Sequence, residues 1–532
     1  MQVKIQPDDI LNYLTDASNM PGGHAERLFI PETADEIAAI LRDANEAGIP
    51  VTVSGARTGT VGGAMPFGGW VISLERLNAI KSIDREGRRA VVEPGVILAD
   101  FAKAVEAEGL FYPPDPTEWS CQIGGTVATN ASGARSFKYG ATREYVVGLT
   151  VVLADGDLLK LRRGQVFSGP DGRIELTTAS GRKIEAKLPT YSRPNVRKNV
   201  SGYFNERPMD AIDLFIGSEG TLGVIVEIEL VLLPKPESFF SGIVFFERHE
   251  DLLGFVEEAK SESFVGRRGA KNPPAHAGGT DKSRVAEAGS AEKAPVATAP
   301  GTDKSPPAYA GGTGLDASLI EYFDGRALSF IHEKFPETPD GMAGAVFFEQ
   351  ETTAANEDRL MEEWNGLLEK HNADLDRSWF TTTEQDREKM RAFRHALPVA
   401  VNERVVRNKQ KKIGTDMAVP DENFPGFLDF QKKMLDESGI DYVIFGHIGD
   451  CHLHANLLPK DDAEAEKARH IYGRFVAQSI MLGGCISAEH GIGKLKSKYL
   501  YVMMGERYLN EMADLKRAFD PKGILGRGNM FG

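Results

Sequence analysis

Ser54-Gly-Ala-Arg-Thr-Gly-Thr-Val-Gly-Gly-Ala64 follows a short β-prone run, Val51 to Val53, and carries glycines at 55, 59, 62 and 63. Without Cβ atoms in the way, the backbone N–H groups of such a loop can converge on phosphate oxygens. Upstream, Thr33 and Glu36 form a capping-box pattern, and Ile37, Ile40, Leu41 and Ala44 recur at helical spacing until Gly48. Helix, strand and glycine loop therefore follow in order. Downstream, Val71 to Leu74 and Ala90 to Glu93 read as strands, and Leu98, Phe101, Ala102 and Val105 mark a helix ending at Gly109. Tyr112-Pro-Pro-Asp-Pro116 is rigid and extended and cannot join a central strand. The segments Cys121 to Asn130 and Ala131 to Gly140 consist of small and hydroxyl residues, against whose backbone a flat ligand could lie. Val146 to Leu153 is a β-branched strand, and Asp213 to Ile225 reads as strand, glycine turn and strand. No GxGxxG joins a strand to a helix and no Walker loop is present, so NAD has no visible seat.

The chemistry concentrates later in the chain. Phe445-Gly-His-Ile-Gly-Asp-Cys-His-Leu-His-Ala-Asn456 holds three of the chain's 11 histidines. Tyr442 to Phe445 and Ala455 to Leu458 read as strand ends joined at Gly446 to Asp450. His452, His454 and Asn456 share a strand face, and the bend at Gly446 and Gly449 can return His447 to them. Ser487-Ala-Glu-His-Gly-Ile-Gly-Lys494 adds a carboxylate beside an imidazole. Two histidines and one glutamate with open positions form a ligand set for catalytic zinc and related divalent ions, which makes His447, His454 and Glu489 the candidate ligands. His452 competes with His447 as the partner of His454, and Cys451 and Cys485 offer soft alternatives.

The 532 residues allow two or three domains. Apolar content of 41% and charged content of 26% are those of a globular protein. Three cysteines without a CxxC pair argue for a reducing compartment. No signal-peptide core or membrane span is read, so a cytoplasmic location is expected. The net charge of −15 argues against a nucleic-acid partner. One basic run opposes the trend, Arg404, Arg407, Lys409, Lys411 and Lys412; it suits a solvated face, an anionic substrate group or peripheral contact at the inner membrane face. Residues 265–315 are rich in Pro, Gly, Ala, Lys and Thr, and PPAHAGGT at 273 returns as PPAYAGGT at 306. Such composition buries too little apolar surface to offset ordering, so a disordered insert is expected between a helix ending near Ser263 and a strand from Leu319 to Phe323.

The loop at 54–64, the YPPDP…IGGTVATNASG…YG run, GSEGTLGVI at 217–225, GHIGDCHLHAN at 446–456 and AEHGIGK at 488–494 resemble, in this order, the FAD-linked D-2-hydroxy-acid dehydrogenases of the vanillyl-alcohol oxidase flavoprotein superfamily. The resemblance implies an α+β fold. Residues 1–235 would form a two-part FAD-binding domain, 236–500 a substrate and metal domain with an antiparallel sheet flanked by helices, and 501–532 a helical segment packing back on the flavin. It places flavin contacts on Ser54, Gly55, Ala56, Arg57, Thr58, Gly59, Gly62, Gly63 and Ala64. Further contacts fall on Pro116, Ser120, Gly124, Gly125, Thr126, Asn130, Ser132, Gly133 and Gly140, and on Glu219, Gly220, Gly223 and Ile225. Residues 54–64 lack the histidine that anchors flavin covalently in some relatives, so noncovalent FAD is expected.

The implied reaction oxidises a D-2-hydroxy acid of the lactate, glycolate or 2-hydroxyglutarate class to its 2-oxo acid. His490 would be the base, Arg394 the carboxylate clamp, and Asn456 and Lys412 further substrate contacts, assisted by zinc, manganese or iron. The acceptor would be a quinone, a cytochrome or an electron-transfer flavoprotein. An electron-transfer subunit, an oxygen-using oxidase and a homodimer stay open. Two departures stand out. Gly449-Asp-Cys-His452 replaces the family's usual GDGN, and Ile524 to Phe531 lacks the usual Asn-Pro.

Overall fold

A computed structural model describes residues 1–269, 314–381 and 383–531. The expected insert at 265–315 lies mostly outside these residues. Thr33 Oγ1 accepts from Glu36 N–H at 3.2 Å to start the helix Ala34–Ala47, and Gly48 ends it in the left-handed conformation. Its apolar face, Ile37, Ile40, Leu41 and Ala44, is buried against a four-stranded sheet. That sheet runs in the order Gln2–Lys4, Arg27–Ile30, Trp70–Ser73 and Val51–Ser54, the last three parallel, so the glycine loop leaves from an edge strand. A second sheet is antiparallel, with Ile80–Asp84, Arg89–Val92, Val224–Val231, Val146–Val152 and Leu158–Arg162 side by side.

The third sheet carries the chemistry. Its seven strands, all antiparallel, run Trp379–Thr381, Ser238–Phe246, Gly344–Thr352, Ala317–Asp324, Tyr442–Gly446, His454–Leu457 and Ile413–Gly414. Ala317–Asp324 is buried at every position, because helices and the other half of the molecule cover both faces. Trp364 from the helix Glu357–Lys370 stacks on Phe348 at 4.2 Å and donates Nε1–H to Gln350 Oε1 at 2.9 Å, fixing one cover.

Two expectations need correction, and one stretch holds an element not read from the sequence. Cys121 to Asn130 contains a helix, Ile123–Thr129, ended by Asn130 in the left-handed conformation. Asp213 to Ile216 is no strand; it enters the 3-10 turn Ala211–Leu214, started by Asp210 Oδ1 accepting from Ile212 N–H. The helix expected to end near Ser263 runs from His249 to Gly269.

Asp324 caps the helix Gly325–Ile331, accepting from Ala327 N–H at 2.7 Å in a fully buried place. Burial pushes its carboxyl up to about 7, while an unfolded aspartate titrates near 3.9. Between these values the folded state binds more protons than the unfolded state, so this group's contribution to stability falls as pH rises toward 7. Asp324→Asn keeps the cap without the charge. It is expected to raise the thermal midpoint at pH 8, by the equivalent of roughly 4 kcal/mol, and to do little at pH 4. An equal shift at both pH values would refute the assignment.

Candidate active site

The histidine stretch folds back on itself. Gly446, at φ +132°, ends its strand where a Cβ would stand 3.0 Å from His454 Cδ2. A 3-10 turn, Ile448–Asp450, and a left-handed Cys451 complete the reversal, with His452 N–H donating to the His447 carbonyl at 3.2 Å. The rings of His452 and His454 come within 4.6 Å of each other, and those of His447 and His454 within 5.6 Å.

Glu489 reaches this turn from the second segment. Its Oε1 lies 3.2 Å from both His447 Nε2 and His454 Nε2, and its Oε2 lies 3.9 Å from His452 Nδ1. One ligand atom from each of the four residues falls within 4.8 Å of the others. Three imidazoles and a carboxylate so placed fit a divalent cation by donor type and spacing. His490 is stacked on His454 at 5.1 Å, with Nδ1 3.5 Å from Asp416 Oδ2 and Nε2 3.8 Å from Glu489 Oε1.

An outer ring of charges orients these groups. His447 Nδ1 lies 2.5 Å from Glu321 Oε1, and Glu321 Oε2 accepts from Arg394 Nε at 3.2 Å. Burial alone would lower the His447 imidazolium, but Glu321 outweighs it and raises it; Glu321, also buried, is held low by His447 and Arg394. Burial would likewise raise Glu489, yet His447, Lys198 and His452 hold it well below the usual carboxylate range. Lys198 Nζ bonds Glu489 Oε2 and the Gly133 carbonyl and pairs with Asp450. Asp416, fully buried, accepts from Ser487 Oγ, Lys496 Nζ and the backbone N–H groups of Glu489 and His490. Burial pushes His490 down to about 4 against the pull of Asp416, so it is neutral near pH 7.

Glu321, Asp416, Lys198 and Asp450 were missed by sequence reading. The one local signal was an acid in the middle of the fully buried strand Ala317–Asp324.

Histidine cluster and glycine loop face one cavity of about 1550 Å³. A pocket for a single drug-sized ligand holds roughly 300–1,000 Å³, so this one can take a large cofactor with a second molecule. Among the described residues no backbone N–H from Ala56 to Gly63 donates a hydrogen bond, which leaves a row of unpaired donors for an anion. A Cβ on Gly59, Gly125 or Gly220 would meet no protein atom within 4 Å. Ala56, Arg57, Thr58, Gly63, Ala64, Pro116, Gly124, Thr126, Ser132, Gly223 and Ile225 also line the cavity, as do Gly55, Arg394, Lys412, Asn456 and His490.

Six expected contacts have local duties off the wall. Ser54 is fully buried in its strand, and Ser120 bonds Glu118. Asn130 accepts from Arg143 N–H, and Gly133 fits against the Asp115 carbonyl, where a Cβ would come within 1.7 Å. Gly62 and Gly140 hold positive φ. Glu219 lines the cavity, but its carboxylate accepts from Ile492 and Gly493 N–H at 2.7 Å each and so ties the two halves together. Asn529 adds a second tie, donating to the Gly63 and Glu219 carbonyls and accepting from Lys494.

Comparison with known proteins identifies both halves of the chain. An FAD binding domain matches residues 25–162, and the C-terminal domain of FAD linked oxidases matches residues 309–530. A D-lactate dehydrogenase of Anaerostipes hadrus is 31% identical over 504 residues, covering 94% of this chain and 88% of that protein. The chain belongs to the FAD-linked D-2-hydroxy-acid dehydrogenase family. The glycolate oxidase subunit GlcD of Bacillus subtilis is 28% identical, with 98% of this chain and 92% of the relative covered. Among solved structures, p-cresol methylhydroxylase with substrate bound superposes with a TM-score of 0.66 at 15% identity, covering 99% of this chain and 93% of that one, a likeness of fold. This FAD-linked oxidoreductase therefore has the α+β architecture of the vanillyl-alcohol oxidase superfamily. Among its described residues no helix is long and apolar enough to cross a membrane.

Proposed function

We propose that this family member oxidises a D-2-hydroxy acid of the lactate, glycolate or 2-hydroxyglutarate class to the 2-oxo acid. The observation that carries the reading is the opening of the histidine cluster and the unpaired loop N–H groups into one cavity. Bound FAD, held noncovalently, supplies the hydride acceptor, and a divalent cation held by His447, His454 and Glu489 supplies positive charge toward an alkoxide. Arg394 fixes the substrate carboxylate and so orients Cα. Its Nε and one Nη2 hydrogen are engaged by Glu321 and Thr117, leaving Nη1 free among the described residues. His490, kept neutral with Nδ1 toward Asp416, offers Nε2 to the hydroxyl proton. Lys412, an ammonium on the cavity wall with no partner among the described residues, and Asn456 complete the recognition of an anionic substrate. The flavin seat belongs to residues 1–235, the cation and substrate groups to 236–500, and residues 501–532 return to the seat. The acceptor is a quinone, a cytochrome or an electron-transfer flavoprotein, and the enzyme works in the cytoplasm.

The test is anaerobic absorbance of the purified holoenzyme with paired D- and L-hydroxy acids. One or more D-acids are expected to bleach the flavin and their L-enantiomers are not. If dithionite bleaches it and no hydroxy acid does, the chain is an electron carrier instead.

A further inference from the structure

Cys451 and His452 stand where the family's pattern has a small residue and an amide, and the proposed reaction uses neither. His452 is fully buried, and its Nδ1 has no hydrogen-bond partner among the described residues. A buried imidazole nitrogen without a hydrogen-bond partner calls for one that the protein does not itself provide. Its surroundings say which partner. Nε2 lies 3.1 Å from Asp416 Oδ1, and Asp416 is anchored by Lys496, Ser487 and two backbone N–H groups. A small rotation of the ring aligns Nε2–H with that carboxylate, the arrangement by which second-shell acids fix the tautomer of a metal-binding histidine. The lone pair then sits on Nδ1, the nitrogen 3.9 Å from Glu489 Oε2, and His452 belongs to one cluster with His447, His454 and Glu489.

The spacing fits as well. Two ligands each about 2.0–2.2 Å from one ion lie at most about 4.4 Å apart. The 3.9 Å between His452 Nδ1 and Glu489 Oε2 is too long for a hydrogen bond and falls within that limit.

We propose that His452 Nδ1 is a third imidazole ligand, giving this enzyme a three-histidine, one-carboxylate cation site in place of the two-histidine set. The inference rests on the cation reading above. A fourth protein ligand raises affinity and leaves the substrate hydroxyl to enter as a fifth ligand, a number that catalytic zinc accepts. The ion is thereby held more tightly during turnover and during chelation.

The experiment uses the FAD-loaded enzyme, zinc and cobalt(II), a competing chelator, and the variants His452→Ala and His452→Asn, the latter restoring the family's amide. Both variants are expected to keep their flavin and to bind zinc at least 10²-fold more weakly, and the cobalt(II) ligand-field spectrum is expected to change in His452→Asn. X-ray absorption on wild-type zinc enzyme needs no variant and is expected to count three imidazoles. Wild-type zinc with two imidazoles, together with unchanged affinity in His452→Asn, overturns the third ligand and leaves the two-histidine site standing. Wild-type enzyme that binds neither zinc nor cobalt overturns the cation reading itself and this inference with it.

Discussion

His490→Gln is expected to slow flavin reduction by about 10² to 10⁴-fold, the contribution of a positioned base, while the flavin and the bound cation remain. The expectation follows from where the ring stands. About a third of its side chain is exposed, on the cavity wall, so Nε2 can reach a substrate hydroxyl. Nδ1 is occupied by the buried Asp416, which favours the tautomer whose lone pair faces the cavity. Glutamine fills similar volume and can still bond Asp416, so the loop Ser487 to Lys494 should hold its shape. Stopped-flow reduction under anaerobic conditions reads the step directly, and elemental analysis reads the cation. An unchanged reduction rate assigns the proton transfer to another group, and loss of the cation makes His490 a ligand.

Glu489→Gln is expected to be more damaging still. This carboxylate touches His447, His454, Lys198 and Ser132, and it is the one acidic member of the four-residue cluster. Removing its charge takes the anionic ligand from the cation and leaves Lys198 facing a neutral amide in a buried setting. Loss of one partner from a buried ion pair costs about 3–5 kcal/mol, partly offset here because Lys198 keeps Asp450 and the Gly133 carbonyl. The variant should therefore fold with a lowered thermal midpoint, retain FAD, lose the cation and lose turnover by more than about 10²-fold. Flavin retention separates this outcome from general misfolding. Full turnover in the cation-free variant would show that the cluster serves packing alone.

What the sequence disclosed and what it concealed divide along physical lines. The glycine loop and the helix before it were legible because capping, helical periodicity and glycine spacing are local properties. The reversal at Gly446 was legible for the same reason. The helix Ile123–Thr129 was not, because Gly124, Gly125, Thr126, Val127 and Thr129 are poor helix formers. Tertiary contacts decide it: Gly124 N–H donates to the Pro94 carbonyl, and a Cβ on Gly124 would come within 2.4 Å of Pro94 Cβ. Leu214-Phe-Ile216 looked like a strand by composition, but Arg143 claims the carbonyls of Asp213 and Ile216 and holds the chain in a turn. Glu321 meets His447 across 126 positions, and Asp416 meets Glu489 across 73. No window-based pattern reaches that far, so the ligand candidates could be named and their supports could not.

The tie made by Asn529 bears on when the glycine loop gains its order. Gly63 and the residue that fastens it are 466 positions apart, and among the described residues the loop from Ala56 to Gly63 contributes no N–H bonds of its own to hold its shape. During synthesis the early sheets can assemble long before Asn529 has been added, and the glycine loop lacks this tie in that interval. Whatever order this tie lends the loop is therefore acquired late, after the sheets that flank it are already in place.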